Sequence, residues 1–582
     1  MRKELASLRQ LMAVRGIDVY YVPTNDFHGS EYIHDYFKTR RFLSGFTGSA
    51  GTLIVTADEA RLWTDSRYFL QAGMQLEGSG IALMKEGEPG VPTTAEYLAS
   101  VLKPGSVLGF DGRVVTCRGG ESFEKVAADA GASLISDVDM AGEVWMDRPK
   151  LTGAPIWQFP AASAGRTYGE KIAAVRAAME EAGADLHLVT GLEENAWLYN
   201  LRGGDVARTP VFFAFSLISQ DKNTLYVFDD ALPQELVPEG VTVRNYFALS
   251  HDLAELPSGL KVLADKDSCA YSLIRALPEG TEVLDGLSPI TRMKAVKNET
   301  EIKATTAAHV GDGIAMVRFL HWLKETAAAG TPLTEIGASD YLEARRREQE
   351  GFLDLSFDTI SGYGPHGAIV HYSATPETDA AIEPEGFLLV DSGGQYLTGT
   401  TDITRTIAVG PLTDKMKEYY TAVLRGHIDL AMMTFPAGTT GNPMDEAARK
   451  PLREIGLDFG HGTGHGVGHV LSVHEGPQRI SPRKNDVAFE PGMITSDEPG
   501  VYIEGEFGIR IENEVLCVEK EGKLGFENLT LCPYEPDAIL PERLTAAERE
   551  WLNAYHARVR ETLTPLLPEE DAAWLADVTR AL

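Results

Sequence analysis

The sequence predicts a chain of mixed α/β and α+β class, with two related α/β domains followed by a larger C-terminal domain that carries the chemistry. The first observation is a repeat. Gly16-Ile17-Asp18-Val19-Tyr20-Tyr21-Val22 and Gly183-Ala184-Asp185-Leu186-His187-Leu188-Val189 share one pattern, 167 residues apart. Each closes a helix-like segment and opens an apolar strand. Each is followed by a loop rich in Arg and Gly (43–46 and 201–204) and then by strand-like runs at 51–55 and 211–218. A matched order of elements at a fixed period is the mark of a duplicated unit. The second observation is the stretch 146–164, which bears prolines and few periodic apolar positions and reads as a linker. The third is a boundary at 290–298, where Lys294-Ala295-Val296-Lys297-Asn298-Glu299-Thr300-Glu301 leads into a helical pattern running to about residue 327. These divide the chain into domains at 1–155, 156–293 and 294–582.

Composition agrees with several buried cores. Of 582 residues, 43% are apolar and 24% charged, as in ordinary globular proteins. The 53 basic and 85 acidic residues leave a formal net charge of −32. Such a chain lacks the clustered Lys and Arg that neutralise phosphates, so nucleic acid is excluded as a partner. It repels anionic membrane surfaces for the same reason. The four cysteines, Cys117, Cys269, Cys517 and Cys532, form no CxxC, which predicts a reducing compartment without a disulfide scaffold. The N-terminal segment reads as an amphipathic helix, not a signal peptide, and no run of 18 apolar residues occurs. The expected location is cytoplasmic, with no membrane contact.

Within the last domain, Phe387-Leu388-Leu389-Val390-Asp391-Ser392-Gly393-Gly394 is an apolar strand ending in Asp and Gly. Thr400-Thr401-Asp402-Ile403-Thr404-Arg405-Thr406 is β-branched and alternating. The two read as arms of a β-hairpin on which Asp391 and Asp402 converge. Taken alone, each Asp is an ordinary turn former. Next, His461-Gly462-Thr463-Gly464-His465-Gly466-Val467-Gly468-His469 places glycine at every second position. It does not satisfy GxGxxG, which excludes a dinucleotide fingerprint. Its glycines let the backbone approach something closely while the imidazoles point toward it. His474-Glu475-Gly476-Pro477 is not HExxH, so a zincin helix is excluded.

Met493 to Gly500 reads as a strand running into a Pro-Gly turn and carries Glu498. Phe507 to Val515 alternates as a strand, and places Glu512 beside apolar neighbours. A carboxylate there is costly unless paired or bound to a metal. Together, Asp391, Asp402, His465, Glu498 and Glu512 supply four carboxylates and one imidazole. Two divalent cations would balance the carboxylates, and oxygen-dominated ligation with one His suits Mn²⁺, Co²⁺ or Zn²⁺. Two such ions about 3.5–4 Å apart can hold a hydroxide between them. The chemistry this predicts is metal-assisted hydrolysis.

These segments, in this order and spacing, resemble the pita-bread metallopeptidases, the family of methionine aminopeptidase, prolidase and aminopeptidase P. The likeness rests on residues 391–394, 400–405, 461–469, 497–500 and 508–513. It extends N-terminally: Leu43-Ser44-Gly45-Phe46-Thr47-Gly48-Ser49-Ala50-Gly51 with Leu62-Trp63-Thr64-Asp65-Ser66-Arg67-Tyr68 is similar to the first domain of the cytosolic three-domain type of aminopeptidase P. Trp197-Leu198-Tyr199-Asn200-Leu201-Arg202-Gly203 looks like its second. The resemblance implies two creatinase-like N-terminal domains before a pita-bread catalytic domain. It implies cleavage of an N-terminal residue from a following proline, by attack of a metal-bridging hydroxide. It further implies that Asp391 ligates one metal, that Asp402 and Glu512 bridge both, and that His465 and Glu498 bind the second. Glu498 would also take the proton from the water. His371 would hold the substrate and the departing imino nitrogen, and His474 would stabilise the oxyanion. His461, Tyr502 and Arg510 would shape the proline pocket; His366 and His469 receive no role. Mn²⁺ and a homodimer are the expected metal and assembly. The rival within the family is prolidase, which cuts Xaa-Pro dipeptides. A metal-free pita-bread binding module is the rival outside enzymes, and it would have lost ligands that this chain keeps.

Overall fold

The computed structural model describes residues 2–582 and divides into two compact units, 2–159 with 166–291, and 160–165 with 292–582. In the first unit, strands β1 (Val19–Pro23), β2 (Thr52–Thr56), β3 (Ala60–Thr64), β4 (Ala82–Lys85), β5 (Val107–Phe110) and β6 (Ser133–Ile135) form a sheet in the order β4-β3-β2-β1-β5-β6. After two-residue β7 (Trp157–Gln158) come β8 (Leu186–Val189), β9 (Leu201–Arg202), β10 (Ala214–Ile218), β11 (Asn223–Val227), β12 (Val241–Asn245), β13 (Lys261–Ala264) and β14 (Glu282–Asp285). Their main sheet runs β12-β11-β10-β8-β13-β14.

The two sheets match strand for strand, in pairing direction as well as order. The central strand, β1 or β8, is antiparallel to its neighbour on one side and parallel on the other. Both edges end in parallel pairs. The repeated glycines act alike: Gly16 and Gly183 end their helices with φ of +66° and +67°, where a Cβ would be strained. The residue opening each central strand is then delivered in the same geometry. Two local readings differ from the sequence expectation. Of residues 43–46, Leu43 and Ser44 close helix Thr39–Ser44, and only Gly45 and Phe46 lie in the loop that follows. Residues 201–202 are β9, which pairs with β7 and so draws the expected linker into hydrogen-bonded structure.

In the second unit the expected long helix is Glu299–Ala328, and the structure shows it starting at an Asn298/Glu301 capping box. The strands are β15 (Phe352–Leu355), β16 (Ile360–Tyr363), β17 (Phe387–Ser392), β18 (Gly394–Tyr396), β19 (Gly399–Thr400), β20 (Ile403–Ala408), β21 (Thr434–Phe435), β22 (Gly464–Gly466), β23 (Glu475–Ile480), β24 (Ile494–Asp497), β25 (Gly500–Ile503), β26 (Phe507–Arg510), β27 (Asn513–Lys520) and β28 (Lys523–Asn528). They assemble as β16-β17-β20, β21-β28-β27-β24-β22-β23, β15-β18-β19 and β25-β26. The expected strand 507–515 is therefore two strands, which pair in different sheets and break at Ile511 and Glu512. Backbone groups at the break bond elsewhere: Glu512 N–H donates to Thr404 O (3.1 Å), and Glu512 O accepts from Arg405 Nη1 (2.7 Å).

Helix Ala546–Leu563 buries His556, whose Nε2 accepts the backbone N–H of Tyr534 (3.2 Å) while its Nδ1 finds no partner. Burial, helped by Arg405 and Arg560, pushes this imidazole down to about 3. The unfolded chain protonates near 6.5, so the contribution is intact above that pH and is lost as pH falls from 6.5 toward 3. His556→Gln should lose roughly 3 kcal/mol less stability than the parent between pH 7 and 4. Urea midpoints at the two pH values measure this; parallel losses in parent and variant would refute it. Among the described residues, no helix is long and apolar enough to cross a membrane, and the four cysteines are buried and free.

Candidate metal centre

Antiparallel pairing of β17 with β20 sets Asp391 opposite Thr404 and Ser392 opposite Ile403, so Asp402, just before β20, returns beside Asp391. The hairpin expectation holds for these arms. Their connection is not simple loop, since β18 leaves to pair with β15 on one side and β19 on the other. His465 stands on β22, Glu498 follows β24, and Glu512 occupies the β26–β27 break. The glycines around His465 explain its position. A Cβ on Gly464 would lie 1.9 Å from Ser496 O, so glycine lets β22 press onto β24. What the backbone approaches is thus the strand leading to Glu498.

The predicted ligands come together. Candidate ligand atoms of Asp391, Asp402 and Glu512 lie within 4.8 Å of one another, and so do those of His465, Glu498 and Glu512. A third such group joins Asp402, His465 and His474, the two imidazoles packing edge to face at 4.2 Å. His465 Nδ1–H points at Gly466 O (3.0 Å), which turns Nε2 toward Asp402 Oδ2 (3.5 Å) and Glu498 Oε1 (3.6 Å). Those last two separations exceed a normal hydrogen bond.

The electrostatics describe carboxylates packed together without enough donors. Burial pushes Glu512 well above the carboxylate range, and Asp402, Glu498 and Asp391 add to the rise. Burial likewise raises Glu498 and Asp391, although His465 pulls Glu498 down and Arg510 pulls both down. Burial alone would lower His465, but Asp402 and Glu498 outweigh it and hold it at about 9. Asp391 Oδ1 and Asp402 Oδ1 are buried with no hydrogen-bond donor. Unpaired acceptors converging in a buried space fit cations, and this donor set fits hard or borderline divalent ions.

The expected substrate-side residues are placed as follows. Arg510 donates through Nη2 to Asp391 Oδ2 (2.6 Å) and through Nη1 to the Tyr502 hydroxyl (2.8 Å). Tyr502 donates in turn to His461 Nε2 (2.7 Å), whose Nδ1–H meets Gly462 O (2.7 Å). His461, Tyr502 and Arg510 are therefore one hydrogen-bonded chain ending on a candidate ligand. His371 lies half-buried in the turn after helix Gly364–Ala368. The two unassigned histidines have partners: His366 Nδ1 meets Glu335, and His469 bridges Thr305 Oγ1 and Ser163 O.

Several residues around the centre receive no role from the sequence, although Thr404, Arg405 and Asp497 stand inside its motifs. Arg405 is buried and donates to the carbonyls of Pro533 (3.0 Å), Thr404 (2.9 Å), Glu512 (2.7 Å) and Cys532 (2.8 Å), and to Asn513 Oδ1 (2.9 Å). Thr404 Oγ1 donates to Glu512 Oε2 (2.7 Å). Asp497, buried beside Glu498, has His427 Nδ1 3.1 Å from its Oδ2, and His427 Nε2 reaches the Tyr534 hydroxyl (2.8 Å). Alternation within β24 could have flagged Asp497 as inward-facing; nothing local marks His427.

Residues 303–519 match metallopeptidase family M24, and 522–582 match the C-terminal region of that peptidase family. Residues 4–146 and 147–301 each match a creatinase/prolidase N-terminal domain. A probable Xaa-Pro aminopeptidase P of Laccaria bicolor is 40% identical over 98% of this chain and 92% of its own. The chain belongs to metallopeptidase family M24, in its Xaa-Pro aminopeptidase P branch. An X-prolyl aminopeptidase of Caenorhabditis elegans, described as a cytosolic enzyme with a di-nuclear active site, superposes with a TM-score of 0.96 at 32% identity, covering 100% of this chain and 99% of that one. An Xaa-Pro dipeptidase of Bacillus anthracis, at 30% identity and a TM-score of 0.51, covers 64% of this chain and 100% of its own. The M24 fold of the second unit is the pita-bread fold, preceded by two creatinase-type domains.

Proposed function

We propose that this M24 peptidase removes the first residue from peptides whose second residue is proline. The observation that carries the reading is the convergence of Asp391, Asp402, His465, Glu498 and Glu512, with unpaired carboxylate oxygens, in a chain alike over nearly its full length to Xaa-Pro aminopeptidases P. These five residues would hold two divalent ions, with Mn²⁺ the expected pair and Co²⁺ or Zn²⁺ fitting the same donors. When bound, such ions supply a water nucleophile at neutral pH and Lewis-acid stabilisation of the developing charge.

The chain's own groups do the rest. Glu498, whose Oε1 accepts from Ser496 Oγ (3.3 Å), takes the proton of the attacking water; its burial raises its affinity for that proton. His474 stabilises the oxyanion that develops on the scissile carbonyl, and His371 holds the substrate and its imino nitrogen. That nitrogen carries no N–H to be read, and must gain a proton before it leaves. The hydrogen-bonded chain from Arg510 through Tyr502 to His461 holds a preformed wall, which suits a rigid ring that loses little freedom on binding.

The division into 1–155, 156–293 and 294–582 belongs to this proposal, supported by the two matching sheets and two separate N-terminal domain matches. So does a cytoplasmic setting, supported by four free buried thiols. A homodimer, carried over from the family resemblance, is tested by sedimentation. The charge of −32 supports a reading without nucleic-acid partners. The prolidase alternative is disfavoured because the dipeptidase likeness leaves a third of this chain unmatched.

The decisive experiment supplies Mn²⁺, Co²⁺ or Zn²⁺ to stripped protein and follows Arg-Pro-Pro, Arg-Pro and Arg-Ala-Pro. Release of free Arg from Arg-Pro-Pro is expected, with about 100-fold or greater loss when Ala replaces the second-position proline. Efficient cleavage of Arg-Pro with resistance of Arg-Pro-Pro would instead establish a dipeptidase. Full turnover by the stripped protein would refute the metal reading.

A further inference from the structure

We infer that Glu335 is the positioning residue for His371, an inference that rests on the substrate-holding role proposed above for that histidine. The connection from β16 to β17, residues 364–386, carries one short helical turn, Gly364–Ala368, and is exposed at 375–378. Long irregular connections are mobile unless tied down, and a catalytic side chain displaced by about 1 Å can cost 10²-fold in rate. Here the tie is one carboxylate. Glu335 is fully buried at the first position of helix Glu335–Arg347, where the helix end favours negative charge.

Four donors reach it, and all belong to the stretch that brackets His371. Oε1 accepts the Tyr363 N–H (2.7 Å) and His366 Nδ1–H (2.8 Å). Oε2 accepts the Tyr372 hydroxyl (2.9 Å) and the Ala380 N–H (3.0 Å). His366 and Tyr372 also stack, ring centroids 4.4 Å apart. Tyr372 adjoins His371 and is held at both ends, since its N–H bonds Ile369 O (2.9 Å) while its hydroxyl bonds Glu335. The backbone supports the same clasp: Ile336 N–H bonds Asp379 Oδ1 (2.9 Å) and Ile382 N–H bonds Leu333 O (2.9 Å). A buried carboxylate with four donors is satisfied, and its charge shortens and stiffens each bond. Glu335 thus fixes the entry, the exit and the immediate neighbour of His371 without standing among the candidate ligands.

The test is a double-mutant cycle read by kcat on Arg-Pro-Pro with the metal-loaded protein. Glu335→Gln puts an amide N–H₂ where two donors already point, and should lower kcat about 10- to 100-fold with metal content retained. Tyr372→Phe removes one donor and leaves the carboxylate; it should lower kcat by a smaller factor, and it serves if Glu335→Gln fails to fold. In a His371→Ala background either change should cost less than about 2-fold more. Losses that multiply in the double variants would overturn the inference, as would a His371→Ala protein with unchanged kcat. The parent enzyme in the same assay separates the cases: an inactive parent refutes the peptidase reading and this inference together, whereas an active parent with multiplying losses refutes the inference alone.

Discussion

Replacing Glu512 by Gln lowers kcat/KM on Arg-Pro-Pro by about 10³-fold or more, and halves or abolishes the bound metal. The magnitude follows from the several kcal/mol of transition-state stabilisation that a two-ion centre supplies. Glu512 is the one residue whose ligand atoms fall in both carboxylate groups, with Asp391 and Asp402 on one side and His465 and Glu498 on the other. Gln keeps the volume and can still accept from Thr404 Oγ1, so the loss reports charge, not packing. Elemental analysis beside steady-state kinetics checks the result. A Glu512→Gln protein with full metal and full turnover would remove this residue from the centre.

The second large effect is on stability. Arg405→Met should destabilise the C-terminal unit by about 4 kcal/mol or more, since four backbone carbonyls and Asn513 Oδ1 each lose a donor in a buried site. Arg405→Lys should rescue little, because three donors on a flexible stem cannot reproduce a planar fork of five. Thermal unfolding followed by circular dichroism should show a fall of roughly 10 °C. Activity should decline with it even where the variant stays folded, because Glu512 O is among the carbonyls released. A midpoint equal to the parent's would show that the cluster re-satisfies itself without the guanidinium.

What could be read from the sequence, and what could not, divides along a physical line. Local rules reached the elements they govern: Gly16 and Gly183 as helix ends, the long helix that follows Lys294 to Glu301, and the strand arms carrying Asp391 and Asp402. The candidate ligands were legible because they sit within motifs of strand, turn and glycine. The break at Ile511 and Glu512 was not, because alternation looks the same in one strand or in two that change sheets. The bonds that interrupt it come from Thr404 and Arg405, more than a hundred residues earlier in the chain. Glu335 and His427 escaped for the same reason, and so did the role of Arg405, though its motif was legible. A buried polar residue is identified by its partners, and these partners lie far away in sequence.

The break at Glu512 also bears on when the enzyme matures. The candidate ligands stand on β17, just before β20, on β22, just after β24 and between β26 and β27, and no two of them are neighbours in sequence. A nascent chain therefore holds no ready-made chelate, and loop closure must precede any reward from metal. Ions join a fold already assembled by its sheets and its Arg405 carbonyl cluster, and from then on deepen its free-energy well by mass action. Cellular metal supply would govern the enzyme's lifetime against proteolysis as well as its turnover.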